Sequence, residues 1–419
     1  MHELKFDLAL FLQSRGRGTD LYALGAQDVL CIYPGETDVW QRMQSFIDTQ
    51  KGKHVFFLLS YELKDYIEKL QSNNTVFIPC PLVLLFSASI VLECEDNQWT
   101  CLENQGNLDI ESSMGYVTDQ APCSSKEFQR KNSSPKCLSK ESYLTSLHQI
   151  KAHIQAGDIY EMNFCQEFTL EEVNLDPRQT YSELLDLTNA PYSCFLKFKN
   201  LHLLCASPES YLEKKRTTLQ SSPIKGTRKR HIDPVLDAQA KTELKADPKE
   251  RAENIMICDL VRNDLSRIAL KNSVQVKELC EVYSFDTVHQ MISTISCEIP
   301  ATLPITDLFQ ATFPMGSMTG APKVRAMELI EEYENFRRGW FSGSVGFISP
   351  NGDMKSNVII RSILYDSLTK KASLAAGGAI TALSDPEDEY EESLLKAEAM
   401  KNALLSTITP VKTRSSQED

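Results

Sequence analysis

Residues 339–365 read GWFSGSVGFISPNGDMKSNVIIRSILY. Two strand-like runs flank SPNGD, and Asn351-Gly352 at its centre tolerates the positive φ of a tight turn. The spacing predicts a long antiparallel hairpin. A second hairpin is predicted in SCFLKFKNLHLLCASPESYLEKK (193–215), turning near Lys199-Asn200. HVFFLLSYEL (54–63) and VFIPCPLVLLFSASIVL (76–92) add strands. Pro79 and Pro81 make the latter read as buried strands, not a membrane span. Helical periodicity marks KESYLTSLHQIKAHIQAG (140–157), DPKERAENIMICDLVRND (247–264), GAPKVRAMELIEEYENF (320–336) and DPEDEYEESLLKAEAMKNALL (385–405). Long hairpins beside amphipathic helices, without strict βαβ alternation or a solenoid repeat, predict an α+β fold. APCSSKEFQRKNSSPK (121–136) is polar enough for a linker, and VKTRSSQED (411–419) reads as a frayed tail.

The chain has 419 residues, with Lys+Arg 44 against Asp+Glu 57 and a net charge of −13. Such a surface repels polyanions, so nucleic-acid partners are disfavoured. Twelve cysteines are scattered without a CxxC pair or a zinc-spaced cluster. With no secretory leader legible in MHELKFDLALFLQSRGRG, reduced thiols and a cytoplasmic location are expected.

Several short features carry chemistry. Asp247-Pro248 opens a helix with Glu250 and Glu253 on one face, and Asp385-Pro386 opens another with Glu389 and Glu392. Acids in a first turn complement the helix dipole. Two such pairs facing each other would instead suit a hard divalent cation. FPMGSMTGAPK (313–323) sets glycines and Thr319 before a helix, either a simple entry turn or an anion site. Gly377-Gly378 inside a strand pattern suggests a bulge or close backbone approach. His289 lies in an apolar setting, where a satisfied core histidine is the bland reading. Arg361, flanked by apolar residues, calls for an anionic partner. In SSPIKGTRKRH (221–231), Lys225 stands apart from the solvated Arg228-Lys229-Arg230, between Pro223-Ile224 and Gly226-Thr227. It is either one more charge in a basic patch or a lysine set somewhere dry for a reaction.

Taken in order, GDIYEMNF, ASPESYL, SPIKGTRKR, RAENIMICDLVRNDLSRI, DTVHQMIST, FPMGSMTGAPKVRAMELI, GSVGFIS, NVIIRSI, AAGGAI and DPEDEYEESLLKA resemble the chorismate-utilising enzymes, covering about 140–402. The resemblance implies two large, mostly antiparallel sheets packed as a sandwich with helices outside. It also implies an N-terminal part of that sandwich over 1–120, a linker over 121–139 and a chorismate-binding catalytic domain over 140–410. Members that make anthranilate or salicylate typically have Ala before the Gly-Thr, whereas those that aminate chorismate at C4, toward p-aminobenzoate and folate, typically have Lys. Lys225 matches the latter.

The roles carried over are Lys225 as covalent nucleophile, Glu209 as general acid and His289 beside the departing hydroxyl. Glu253 and Glu389, with Glu250 and Glu392 alongside, would hold Mg²⁺; Thr227, Thr319, Arg361, Gly378 and Lys396 would contact substrate. Burial by Pro223-Ile224 and the charge of Arg228 are expected to lower the Lys225 pKa, because only a neutral amine is nucleophilic. The chain departs from the family pattern at Glu161, often Gln, at Phe347, often Tyr, at Met315 and at Ala379. Neither Glu161 nor Phe347 is carried over as a substrate contact, so the role of each is left open, and no tryptophan-binding signature is legible. With no G-x-C-x-G glutaminase motif in the chain, ammonia is expected from a separate glutamine amidotransferase subunit. Competing readings are anthranilate formation, a silent chorismate-binding paralogue, and an RNA-contacting patch at GTRKRH.

Overall fold

The computed structural model describes residues 6–14, 18–118, 135–286 and 288–408. Most of the expected linker (121–139) and the whole expected tail (411–419) lie outside the described residues. Both expected hairpins form. Tyr192–Phe198 pairs with Leu201–Ser207 around Lys199-Asn200, and Lys199 takes a φ of 55° there. Ser344–Ile348 pairs with Met354–Val358 around the Asn351-Gly352 turn.

Among the described residues the strands form two ten-stranded sheets. One sheet runs from the edge strands Gly320–Ala321 and Glu161–Leu170, through Lys371–Ile380, Ser362–Asp366 and the Tyr192–Ser207 hairpin, to strands of the first hundred or so residues. The other runs from Ile224–Lys229 and Val288–Glu298, through Thr218–Ser221, Ser210–Lys215 and the Ser344–Val358 hairpin, to Val55–Leu59, Val83–Ser87 and Asp28–Ile32. N-terminal strands thus enter both sheets.

The sheets face each other across a dry layer that includes Leu10, Phe56, Leu84, Phe86, Leu196, Trp340 and Val345. Alternating strand residues supply this layer from both sides. Helices cover the outer faces. Val39–Thr49, Pro248–Ser266 and Ile305–Thr312 cover one sheet, and Pro177–Thr188 and Pro386–Thr407 the other. No described helix is long and apolar enough to cross a membrane.

The chain changes sheets twice at one place. After Ser207 it leaves the first sheet and enters the second at Ser210, and after Val358 it returns to begin Ser362–Asp366. The two crossings are laced together: Ala206 N–H donates to the Arg361 carbonyl at 3.1 Å, and Val358 N–H donates to the Glu209 carbonyl at 3.1 Å. Arg361 has a φ of 52°, a left-handed conformation that directs the chain across the gap. Glu209 and Arg361 therefore sit side by side where the sheets part.

Candidate active site

A cleft of about 690 Å³ opens at that edge of the sandwich. Nine of the twelve predicted site residues line it: Glu209, Lys225, Thr227, Glu250, Glu253, Arg361, Glu389, Glu392 and Lys396. Strand Ile224–Lys229 brings Lys225 and Thr227, the two chain crossings bring Glu209 and Arg361, and helices Pro248–Ser266 and Pro386–Thr407 bring the rest. Each helix start is built as its sequence predicts. The Asp247 carboxylate accepts from the N–H groups of Lys249 and Glu250 at 3.0 and 3.1 Å, and Asp385 accepts from Glu387 and Asp388 at 2.9 and 3.2 Å. With Pro at the first position of both helices, the side chains three and six residues past the Asp247 cap, and four and seven past the Asp385 cap, come to face the cleft.

The two acidic turns meet across a cation. Lys249 Nζ lies 3.0 Å from Glu389 Oε1 and 4.0 Å from Glu253 Oε1. Glu253 and Glu389 are buried, and Glu253 Oε1 has no hydrogen-bond partner among the described residues. Burial pushes the Glu253 carboxyl up to about 7 against the pull of the Lys225 ammonium. Among the described residues, no three ligating side chains are drawn together as a formed metal centre. Gly378 lets this wall close up: a Cβ there would lie 3.0 Å from Glu389 Oε2 and 3.7 Å from Lys396 Nζ. Lys396 bonds Glu392 at 2.6 Å and the Gly377 carbonyl at 3.0 Å, so the helical ion pair and the strand share one lysine.

Lys225 is dry, with a side chain only 10% exposed, yet its electrostatics are the reverse of those expected. Its Nζ donates to Glu161 Oε1 at 2.8 Å, and Glu161 is 1% exposed. Burial alone would lower the lysine's pKa; Glu161, Glu253 and Glu209 overturn that and hold it above the usual value. Arg228 does not offset them, because Asp247 at 2.8 Å and Glu250 at 3.7 Å already bind its guanidinium. Lys225 therefore rests as an ammonium. Glu209 is 5% exposed, and burial pushes its carboxyl up to about 7 against the Ser317 hydroxyl, Lys225 and the Ile224 N–H. It is an acid able to keep its proton near neutrality.

Arg361 forms no side-chain hydrogen bond or ion pair with any described residue, although Glu392 is within electrostatic reach. Burial lowers its pKa from the ordinary value. A half-buried, unpaired guanidinium in a cleft is a receptor for an anion.

Two predicted residues are turned elsewhere. His289 is 1% exposed; its Nδ1 lies 3.0 Å from Ser284 Oγ and its Nε2 3.0 Å from Asp237 Oδ1. Both ring nitrogens are taken, so the expected place beside the departing hydroxyl is not what this geometry gives. Its strand neighbour Gln290 points the other way and lines the cleft. Asp237 belongs to helix Pro234–Ala246, which the periodicity did not single out. Thr319 is fully buried and its hydroxyl turns back onto the carbonyls of Met315 and Gly316, at 3.2 and 3.3 Å. Ser317 of the same loop reaches the cleft in its place.

Sequence reasoning also passed over Glu161, Asn163 and Lys249. Only Glu161 stood out, as a departure from the family pattern. Phe347 lies apart from the cleft, tilted against His54 and Phe56. Behind the cleft, the buried Arg338–Glu334 pair at 2.6 Å fastens the loop to the strand. Arg338 donates to the carbonyls of Met318 and Asn163 at 2.6 and 2.9 Å, and Glu334 accepts from Cys165 N–H at 2.8 Å.

Comparison with known proteins gives a consistent result. A protein of Arabidopsis thaliana, aminodeoxychorismate synthase, is 42% identical over 270 residues, 64% of this chain and 29% of that protein. Aminodeoxychorismate synthase component 1 of Klebsiella aerogenes is 40% identical over 275 residues, 64% of this chain and 59% of that protein. The match thus spans less than two thirds of either relative. The crystal structure of anthranilate synthase component I from Streptococcus pneumoniae superposes with a TM-score of 0.78 at 24% identity, covering 91% of this chain and 92% of that one, which shows the fold. The family model described as chorismate binding enzyme matches residues 8–402, and the chain belongs to that family.

Proposed function

We propose that this cleft aminates chorismate at C4 to give 4-amino-4-deoxychorismate, on the route to p-aminobenzoate and folate. Ammonia comes from a separate glutamine amidotransferase subunit. The observation that carries this reading is the pairing of a dry lysine, Lys225, with a buried acid, Glu209, whose carboxyl is pushed up to about 7. The names of the relatives point the same way. Scattered cysteines, unpaired among the described residues, suit a reducing compartment such as the cytoplasm.

Direct replacement of the C4 hydroxyl by ammonia with retention is difficult, and two displacements avoid it. The Lys225 amine attacks C2, the conjugated ring double bonds shift, and the C4–O bond breaks. Glu209 gives its proton to the leaving oxygen, which departs as water. Ammonia then attacks C4, the double bonds shift back, and the C2–Lys225 bond breaks. Glu209 takes a proton from the new C4 ammonium and is restored. Arg361, Lys396, Thr227 and the backbone at Gly378 receive the two carboxylates of chorismate.

The donor set fits Mg²⁺. Glu253 has a buried oxygen without a hydrogen bond, Glu389 faces it from the other helix, and the Lys249 ammonium now bridges the two. Glu253 and Glu389, with Glu250 and Glu392 beside them, would hold the ion, with Lys249 displaced, and it would neutralise a substrate carboxylate. The test is to supply chorismate, Mg²⁺ and ammonium and identify the product by mass spectrometry. Release of 4-amino-4-deoxychorismate is expected; anthranilate or salicylate would overturn the reading.

A further inference from the structure

The chemistry above leaves one proton unassigned. Lys225 must be neutral to attack, but the cleft holds it as an ammonium. Solvent is a poor acceptor for that proton, since the lysine side chain is only 10% exposed. Among the described residues, one side-chain group hydrogen-bonds it: Glu161 Oε1, at 2.8 Å. Its other oxygen, Oε2, is buried and has no hydrogen-bond partner among the described residues.

We propose that Glu161 is the general base of this site, taking the proton of Lys225 as its nitrogen attacks chorismate and returning it when the lysine is expelled. This rests on the chorismate reading above and adds a catalytic residue to it. The proton moves along the existing hydrogen bond, from Nζ to Oε1, leaving a neutral amine and a neutral carboxylic acid. Two buried charges vanish in that step, which a dry setting favours. The amine lone pair then forms the N–C2 bond, while Glu209 separately protonates the departing C4 oxygen. After ammonia expels the lysine, Glu161 returns its proton to the amine and both residues are restored.

The geometry suits a base. Glu161 begins strand Glu161–Leu170 in one sheet and Lys225 lies on strand Ile224–Lys229 in the other, so the hydrogen bond spans the gap between the sheets. The backbone of Glu161 is held tightly, paired to Ala321 and approached by Gly320, where a Cβ would fall 2.1 Å from the Glu161 carbonyl. Gly320 has a φ of 149°, so a side chain is excluded there on two counts. Other ionisable groups also face the pair: Glu209 from the chain crossing between the sheets, Glu253 from helix Pro248–Ser266, Glu392 from helix Pro386–Thr407 and Cys165 on Glu161's own strand. Among the described residues, only Glu161 forms an ion pair with Lys225.

The test is the rate at which chorismate, with Mg²⁺ and without ammonium, forms the Lys225 adduct, read by intact mass between pH 6 and 8. Wild type, Glu161→Gln and Glu161→Asp are compared, and the near-isosteric glutamine leaves folding undisturbed. In the glutamine variant the lysine must lose its proton to solvent, so its neutral fraction grows about tenfold per pH unit. The wild type draws on its internal base instead. The ratio of wild-type to Glu161→Gln rates is therefore expected to be about a hundred at pH 7 and to fall about tenfold per pH unit. Titration of Glu209 cancels in that ratio. Glu161→Asp should be slower than wild type but keep its pH dependence. A ratio that does not change with pH would overturn the base assignment alone, as would a glutamine variant faster than wild type at pH 6. Absence of any adduct in the wild type at every pH would overturn the covalent reading and the base assignment with it.

Discussion

The two walls of the cleft use the same residue types in opposite ways. On the helix wall, a lysine (Lys249) sits among carboxylates supplied by two capped helix starts, with its side chain 37% exposed. On the strand wall, Lys225 also sits among carboxylates, but dry and bound to a single buried one, Glu161. The first lysine can be displaced by a cation without stranding a charge, because water receives it. The second cannot leave, and its charge is removed only by moving a proton to a neighbour. Burial therefore separates a displaceable lysine from the proposed nucleophile.

That contrast can be broken at its strongest point first. Lys225→Ala should abolish amination, a loss of at least about 10³-fold in rate, while circular dichroism and thermal melting stay close to wild type. Retained turnover would place the nucleophile elsewhere. Next is the acid. Glu209 is protonated below about 7, so activity that needs its proton is present at lower pH and declines as pH rises through 7. Glu209→Gln should be slower by about 10²-fold and lose that alkaline decline. A variant that keeps the decline would assign it to another group.

On the other wall, Lys249→Met should strengthen Mg²⁺ binding by about tenfold, or ~1.4 kcal/mol, in isothermal titration. The competing ammonium would be gone while Glu253 and Glu389 remain. Weaker binding would mean that Lys249 supports the site instead of holding its place. The smallest effect is structural: Asp385→Ala removes two N–H acceptor contacts and should cost about 1 kcal/mol in denaturant unfolding.

Much of this was legible in the sequence where the controlling physics is local. Gly352 marks its turn because few residues tolerate its φ of 82°, whereas the φ of 55° at Lys199 is imposed by the strands that pair on either side of it. Asp-Pro with a trailing Glu marks both helix starts because the cap, the ring and the dipole all act within one turn. What spacing could not supply was who faces whom across the gap. Arg228 is two residues beyond Gly226 and looks like a cationic neighbour of Lys225, but Asp247 and Glu250 claim it. Glu161 is 64 residues away in sequence and only the packing of two sheets brings it to Lys225. Glu161, together with Glu253 and Glu209, raises the lysine's pKa where Arg228 was expected to lower it.

His289 and Thr319 were misplaced for the same reason. A histidine in an apolar strand reads alike whether it faces a cleft or a buried aspartate, and Asp237 lies on a helix whose short pattern gave no warning. The hydroxyl of Thr319 satisfies its own loop, and nothing in GSMTG distinguishes it from Ser317, which reaches the cleft.

The most direct test of the central claim is peptide mapping of protein quenched during turnover with chorismate and Mg²⁺. The account predicts a modification on the peptide carrying Lys225, of the mass of chorismate less water, that disappears on addition of ammonium as 4-amino-4-deoxychorismate is released. Aminated product formed with Lys225 unmodified throughout, and still formed by Lys225→Ala, would contradict it.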